Sequence, residues 1–198
     1  MTATRKIMAT VVRPESIGTD EIRASLLRLT GGSVDLVEGW ERMAAGEVIA
    51  LVSLRDSSIE GVPHARHAWL VEERPQWDGA PASVKGPVVG VKQVTFLRRA
   101  ASIDHAQFAD HWSTAHAALA RRHHPTLLRY RQNVVVDTLI PGTPEDVDGI
   151  AELGMRLRLD FRERMYDSDE GRRIVGEDVR RFLDLRRSWQ MITREYPV

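Results

Sequence analysis

The chain has 198 residues, 42% apolar and 28% charged, enough to bury one large core or two small ones. Lys and Arg number 28 and so do Asp and Glu, so no bulk charge draws the protein to nucleic acid or to an anionic membrane. There is no cysteine, which excludes disulfides, thiolate metal sites and a Cys nucleophile, and no apolar run reaches the length of a membrane span.

The opening stretch MTATRKIMATVV is too weakly apolar and too soon charged for a signal peptide, which points to the cytoplasm. In chain order, alternating apolar residues predict strands over Lys6–Arg13, Val34–Trp40, Val48–Leu54 and Trp69–Arg74. A helix is predicted over Thr19–Thr30, and Val62–Arg66 is at most a short helical turn. The segment Pro75–Pro87, PQWDGAPASVKGP, carries three Pro and two Gly and is predicted to be a linker. Beyond it, strands are predicted over Val91–Arg98, Leu128–Val136, Ile150–Leu157 and Trp189–Glu195. Helices are predicted over Ile103–His123, Leu159–Tyr166 and Ser168–Leu183. The loop Asp137–Asp148, with its PGTPED run, joins two middle strands where it would cover a pocket mouth.

Lys6–Leu26 and Lys92–Trp112 read alike without a gap at an offset of 86 residues. Lys6 falls on Lys92, Arg13 on Arg99, Ser16 on Ser102, Ile17 on Ile103 and Ile22 on Phe108. Each copy is an apolar strand, a basic turn and an amphipathic helix. The expected fold is therefore α+β: two fused ferredoxin-like βαββαβ units forming an intrachain α+β barrel. The division is a degenerate unit over 1–74, a linker over 75–90 and a second unit over 91–198. A homodimer through the outer surfaces stays open.

Five of the seven histidines lie between Ile103 and His124. His105, Phe108, Trp112 and His116 share one helical face, so His116 sits at or beside the buried side and His111 one position off it. His111 and His116 are five apart, not the four of a helical metal pair, so no metal site is expected. His123 and His124 suit helix capping. Ala115, Ala117 and Ala118 leave room beside His116. Glu152 stands in an apolar strand, where burial would oblige it to find a partner such as His116. Tyr130 and Asn133 share a strand and point to opposite faces.

The run VTFLRR, SIDHAQFADHWSTAHAALARR, LLRYRQNVV and DGIAEL, from about Val91 to Pro197, resembles the EthD family of the dimeric α+β barrel superfamily. The matching residues are His105, Phe108, Trp112, His116, Ala117, Leu119, Tyr130, Asn133, Asp148, Gly149, Glu152 and Leu153. Ala118 departs from the Pro common there, and the N-terminal half lacks the His-rich helix, Ser25 standing opposite His111. The resemblance implies a ferredoxin-like unit whose sheet pairs into a barrel. It also implies a spread of activities: polyketide cyclases, muconolactone isomerases, cofactor-free monooxygenases and haem-using enzymes all belong to this superfamily.

The first functional reading is a lyase, isomerase or cyclase without cofactor, acting by general acid–base chemistry on a small aromatic or polyketide-like carbonyl compound. There His116 is the base, Glu152 orients it, and Tyr130 or Asn133 holds the oxyanion, with Trp112, Phe108 and His111 against the substrate. No glycine-rich loop stands between a strand and a helix to hold a nucleotide. A cofactor-free monooxygenase on a phenolic substrate and a non-catalytic small-ligand-binding protein are the alternatives.

Overall fold

The structure, a computed structural model, describes residues 4–55, 58–79 and 86–198. Eight antiparallel strands form one closed barrel, and the helices lie outside it. The strands are β1 (Thr4–Val12), β2 (Gly32–Val37), β3 (Val48–Leu54), β4 (Ala65–Asp78), β5 (Val91–Leu97), β6 (Leu127–Thr138), β7 (Gly149–Met155) and β8 (Trp189–Pro197). Around the barrel they run β1-β3-β2-β8-β5-β7-β6-β4, and β4 closes back on β1. Each half contributes four neighbouring strands in the same relative order. The seams between halves are β2 with β8 and β4 with β6. Closure leaves no strand edge unpaired, which removes the usual route to edge-on association.

Among its described residues the N-terminal half carries one α-helix, α1 (Thr19–Leu26), whose Ile22 and Leu26 are buried on the sheet. It ends short of the expected Thr30: Leu29 N donates to the Leu26 carbonyl in a closing turn, and Gly31, at φ 85°, then leads into β2. Among the described residues between β3 and β4, the one helical element is the 3₁₀ turn Ile59–Gly61. The C-terminal half carries α2 (His105–His111), a π turn (Trp112–His116), α3 (Ala117–His123), the single turn α4 (Asp160–Glu163) and α5 (Asp169–Phe182). Asp104 and Gln107 form a reciprocal capping box at the start of α2. The helix expected over Leu159–Tyr166 shrinks to α4, where buried Asp160 accepts from the backbone N–H of Leu157 at 3.0 Å.

The linker expected from Pro75 begins later. Residues Pro75 to Asp78 belong to β4 and pair with Arg131 to Arg129 of β6. Pro75 has no N–H for the ladder, and the register shifts between Pro75 and Trp77. Trp77 anchors the extension: its ring meets Tyr130 at 5.2 Å and its Nε1 donates to the Leu127 carbonyl at 3.0 Å. Residues 80–85 of the expected linker lie outside the described residues.

One core fills part of the barrel and the space under α1, with Met8, Leu51, Trp69, Val94, Phe96 and Ile150 among its members. A second lies between the outer face of the C-terminal half and its helices, built on Phe108, Trp112, Tyr130, Met155 and Phe182. Among the described residues, no helix is long and apolar enough to cross a membrane.

Candidate functional site

Strand alternation sends the candidate residues to two different sides of the sheet. On β7, Gly149 and Ala151 face the helices while Glu152 faces the barrel interior. A Cβ on Gly149 would stand 2.5 Å from Trp112 Cζ3, so the indole packs directly on the strand. On β6, Tyr130 and Gln132 face the helices, and Asn133 faces inward.

Inside the barrel, seven strands send polar groups to one cluster. Lys6 Nζ donates to Glu73 Oε1 at 2.8 Å and to Glu152 Oε1 at 2.9 Å. Lys92 Nζ lies 2.7 Å from Glu152 Oε2, 2.7 Å from Glu195 Oε2 and 2.9 Å from Asp35 Oδ1. Asn133 Nδ2 donates to Glu152 Oε1 at 3.0 Å, and Arg129 Nη2 lies 3.0 Å from Glu195 Oε2. Burial alone would raise the Glu152 carboxyl, but Lys6, Lys92 and Arg131 outweigh it and hold it well below its ordinary value. The expected Glu152–His116 pair is therefore corrected. Glu152 is on the opposite face of the sheet and satisfies two lysines.

His116 has another partner. Its Nδ1 lies 2.9 Å from Asp178 Oδ2 on α5, and His111 Nε2 lies 2.8 Å from Asp178 Oδ1. The π turn between them explains why a spacing of five converges. A π turn closes at i+5, so residues five apart return to the same side. Gln132 Nε2 donates to the Trp112 carbonyl at 2.6 Å, a side-chain donor entering the helix where it widens. Burial would raise Asp178, but hydrogen bonds from His116 and His111 prevail and lower it. His116 is 9% exposed, and its ring meets Phe182 at 5.1 Å. Nearby, Trp112 Nε1 donates to Tyr130 Oη at 2.7 Å, and burial raises the Tyr130 phenol. Phe108, Trp112 and Tyr130 thus form a packed layer that joins helix to sheet.

A third group opens to solvent. Asp148, at the start of the DG pair before β7, is 4% exposed. Its Oδ2 accepts from the backbone N–H of Arg99 at 2.8 Å, its Oδ1 contacts Arg99 Nη1, and His105 Nδ1 lies 3.0 Å from Oδ1. An ionised carboxylate can only accept, so the neutral imidazole carries its proton on Nδ1 and presents a lone pair on Nε2. The His105 side chain is 43% exposed. It lines a cleft of about 380 Å³ with Arg99, Val135, Val136, Asp137, Thr138, Glu145, Val147 and Asp148. The loop expected to cover a pocket mouth forms one wall. It is pinned by Trp69 Nε1 donating to the Pro144 carbonyl at 3.1 Å and by Thr143 Oγ1 accepting from Ala68 N at 3.1 Å. His111 lines a separate cleft of about 400 Å³ with Ile103, Thr114, Arg181 and Phe182.

Sequence reasoning placed His111, His116 and Trp112 on one helix but gave no sign of Asp178, which lies 62 residues from His116. His105, Asp148 and Arg99 all stood in the compared motifs. The geometry that groups them depends on the β5 and β7 ends meeting, with Asp148 N donating to the Leu97 carbonyl at 2.9 Å. Among the described residues, no group of three or more metal-ligating side chains forms.

The EthD domain family model matches residues 100–186. No curated protein matches the chain. A crystal structure of an anthrone oxidase-like protein is similar in fold, with a TM-score of 0.58 at 11% identity over 98% of this chain and 91% of that one. The matched segment holds His105, the π turn, Asp148 and Asp178, so the C-terminal part of this eight-stranded α+β barrel is similar to the EthD domain over residues 100–186.

Proposed function

We propose that the protein is an enzyme of general acid–base chemistry without cofactor, acting on a small carbonyl compound in the His105 cleft. The observation that carries this is the His105–Asp148 pair. One buried carboxylate fixes the tautomer of an exposed imidazole, and the free Nε2 belongs to a residue that lines a cleft of small-molecule size. An imidazole with Nε2 free can take a proton from a substrate carbon as a general base. Arg99 lines the same cleft, its guanidinium held by Asp148 and by the Ile103 carbonyl. Val135, Val136 and Val147 give the apolar surface that an aromatic or polyketide-like ring would use.

In this reading His116 is a positioning residue. It holds α5 to the helix that carries His105, and Tyr130 and Trp112 fix that helix on the sheet. The barrel is read as two fused ferredoxin-like units, the first reaching through Asp78 and the second beginning near Val91. The like strand order of the two halves supports this.

The test uses enolisable probes, 2-tetralone and cyclohexane-1,3-dione, and follows deuterium uptake at the acidic carbon by NMR. Wild type should accelerate exchange, and His105→Gln should lose about a hundredfold, with an unchanged melting temperature. His116→Gln should keep exchange at a lower melting temperature. Loss of exchange in His116→Gln alone, with that variant folded, would return the base to His116. No exchange above the solvent rate in wild type would leave a ligand-binding protein.

A further inference from the structure

The cleft that holds His105 has an uneven charge. The Arg99 guanidinium is paired with Asp148, which also accepts from the Arg99 backbone N–H. Two more carboxylates, Asp137 and Glu145, line the same space. Among the described residues Glu145 makes no hydrogen bond or ion pair, and its side chain is exposed. Asp137 Oδ1 only accepts from the backbone N–H of the next residue, Thr138, at 2.8 Å. Apart from His105, the cleft therefore carries one paired cation and three carboxylates.

We infer that Glu145, seconded by Asp137, makes this cleft selective for uncharged, hydroxyl-bearing small molecules and closes it to carboxylated ones. This rests on the His105 cleft being the site proposed above. The physical reason has two parts. A free carboxylate can only accept, so it recognises a ligand O–H directly, and such charge-assisted bonds are shorter and stronger than neutral ones. A ligand carboxylate entering the cleft meets two like charges and finds the one cation already engaged, which costs affinity. Glu145 also lines the adjoining cleft of about 480 Å³ on the other side of the Arg99–Asp148 pair. There Arg98 Nε reaches Asp146 Oδ2 at 2.8 Å, and Arg187 contacts the same oxygen. The two guanidiniums share that one oxygen, and Asp184 lines the same cleft, so its four carboxylates still outnumber its three guanidiniums.

The test is a titration of isotope-labelled protein with resorcinol and with 3-hydroxybenzoate, reading the His105 imidazole resonances. Resorcinol should shift them, and 3-hydroxybenzoate should bind at least about tenfold more weakly. In Glu145→Gln, resorcinol should lose about tenfold in affinity, the scale of one hydrogen bond to a charged group, and 3-hydroxybenzoate should gain. Asp137→Asn should give the same direction for the benzoate with a smaller change for resorcinol. Equal or tighter binding of 3-hydroxybenzoate to wild type, or no change in Glu145→Gln, overturns the selectivity while leaving the His105 site standing. If neither ligand shifts His105 in wild type, both the site and the selectivity fall.

Discussion

Lys6 and Lys92 bind the two oxygens of one carboxylate, Glu152, at 2.9 and 2.7 Å. The two lysines hold equivalent places on β1 and β5. Lys6 pairs with Val71, two residues before Glu73, and Lys92 pairs with Thr193, two residues before Glu195. Each lysine also binds that glutamate, Lys6 to Glu73 and Lys92 to Glu195. The ion cluster thus joins strands from both halves at the centre of the barrel. A buried pair of this kind gains little over an apolar packing, but leaving one partner uncompensated is costly.

Glu152→Gln should therefore destabilise the barrel by about 3–5 kcal/mol, the usual scale for breaking a buried ion pair from one side. Urea unfolding followed by tryptophan fluorescence measures it. A loss under about 1 kcal/mol would mean that water reaches the cluster.

Asp35 gives the cluster a pH dependence of its own sign. Burial raises its carboxyl to about 6 from 3.8, against the pull of Lys92. A folded-state value above the unfolded one means that the fold holds this proton more tightly. The contribution to stability is full below pH 3.8 and is lost as pH rises through about 6. Between pH 5 and 7.5 the loss from this group is on the order of 1.4 kcal/mol, one pKa unit's worth. Asp35→Asn cannot titrate, so its stability relative to wild type should improve by that amount over the same interval. Unfolding curves at the two pH values check it. A constant difference would show that Asp35 is ionised throughout.

Trp112→Ala should cost about 3–5 kcal/mol, as large-to-small core changes do. The indole is 1% exposed, packs on Gly149 and donates to Tyr130 Oη. The measurement is chemical denaturation with Tyr130→Phe as a companion. That variant should lose only about 1 kcal/mol, one hydrogen bond's share. A Trp112→Ala loss no larger than the companion's would mean that the layer does not depend on ring packing.

Local sequence carried a good part of this fold. Period-two alternation located all eight strands, and β3 keeps its expected bounds, Val48–Leu54. The spacing of Phe108 and Trp112 turned that face inward, as the second core shows. Lys6 and Lys92 fell together in the repeat before any contact was known. These features depend on neighbours along the chain, and a single segment encodes them. Strand ends were less legible. β4 runs to Asp78 only because β6 is present to pair with it.

The partners of the charged groups could not be read the same way. Alternation says that Glu152 and Ala151 point to opposite faces, but not which face looks into a barrel, since that is settled by closure of all eight strands. Once closed, Glu152 meets Lys6 from 146 residues away, and His116 is left to Asp178 on α5. The π turn that aligns His111 with His116 widens the helix where Gln132 reaches it from β6. By itself the sequence determined the order of elements, the inward face of the main helix and the matched lysines. The tertiary structure decided which acid serves which base, because a buried charge takes its partner from whatever the fold brings within about 3 Å, however distant along the chain.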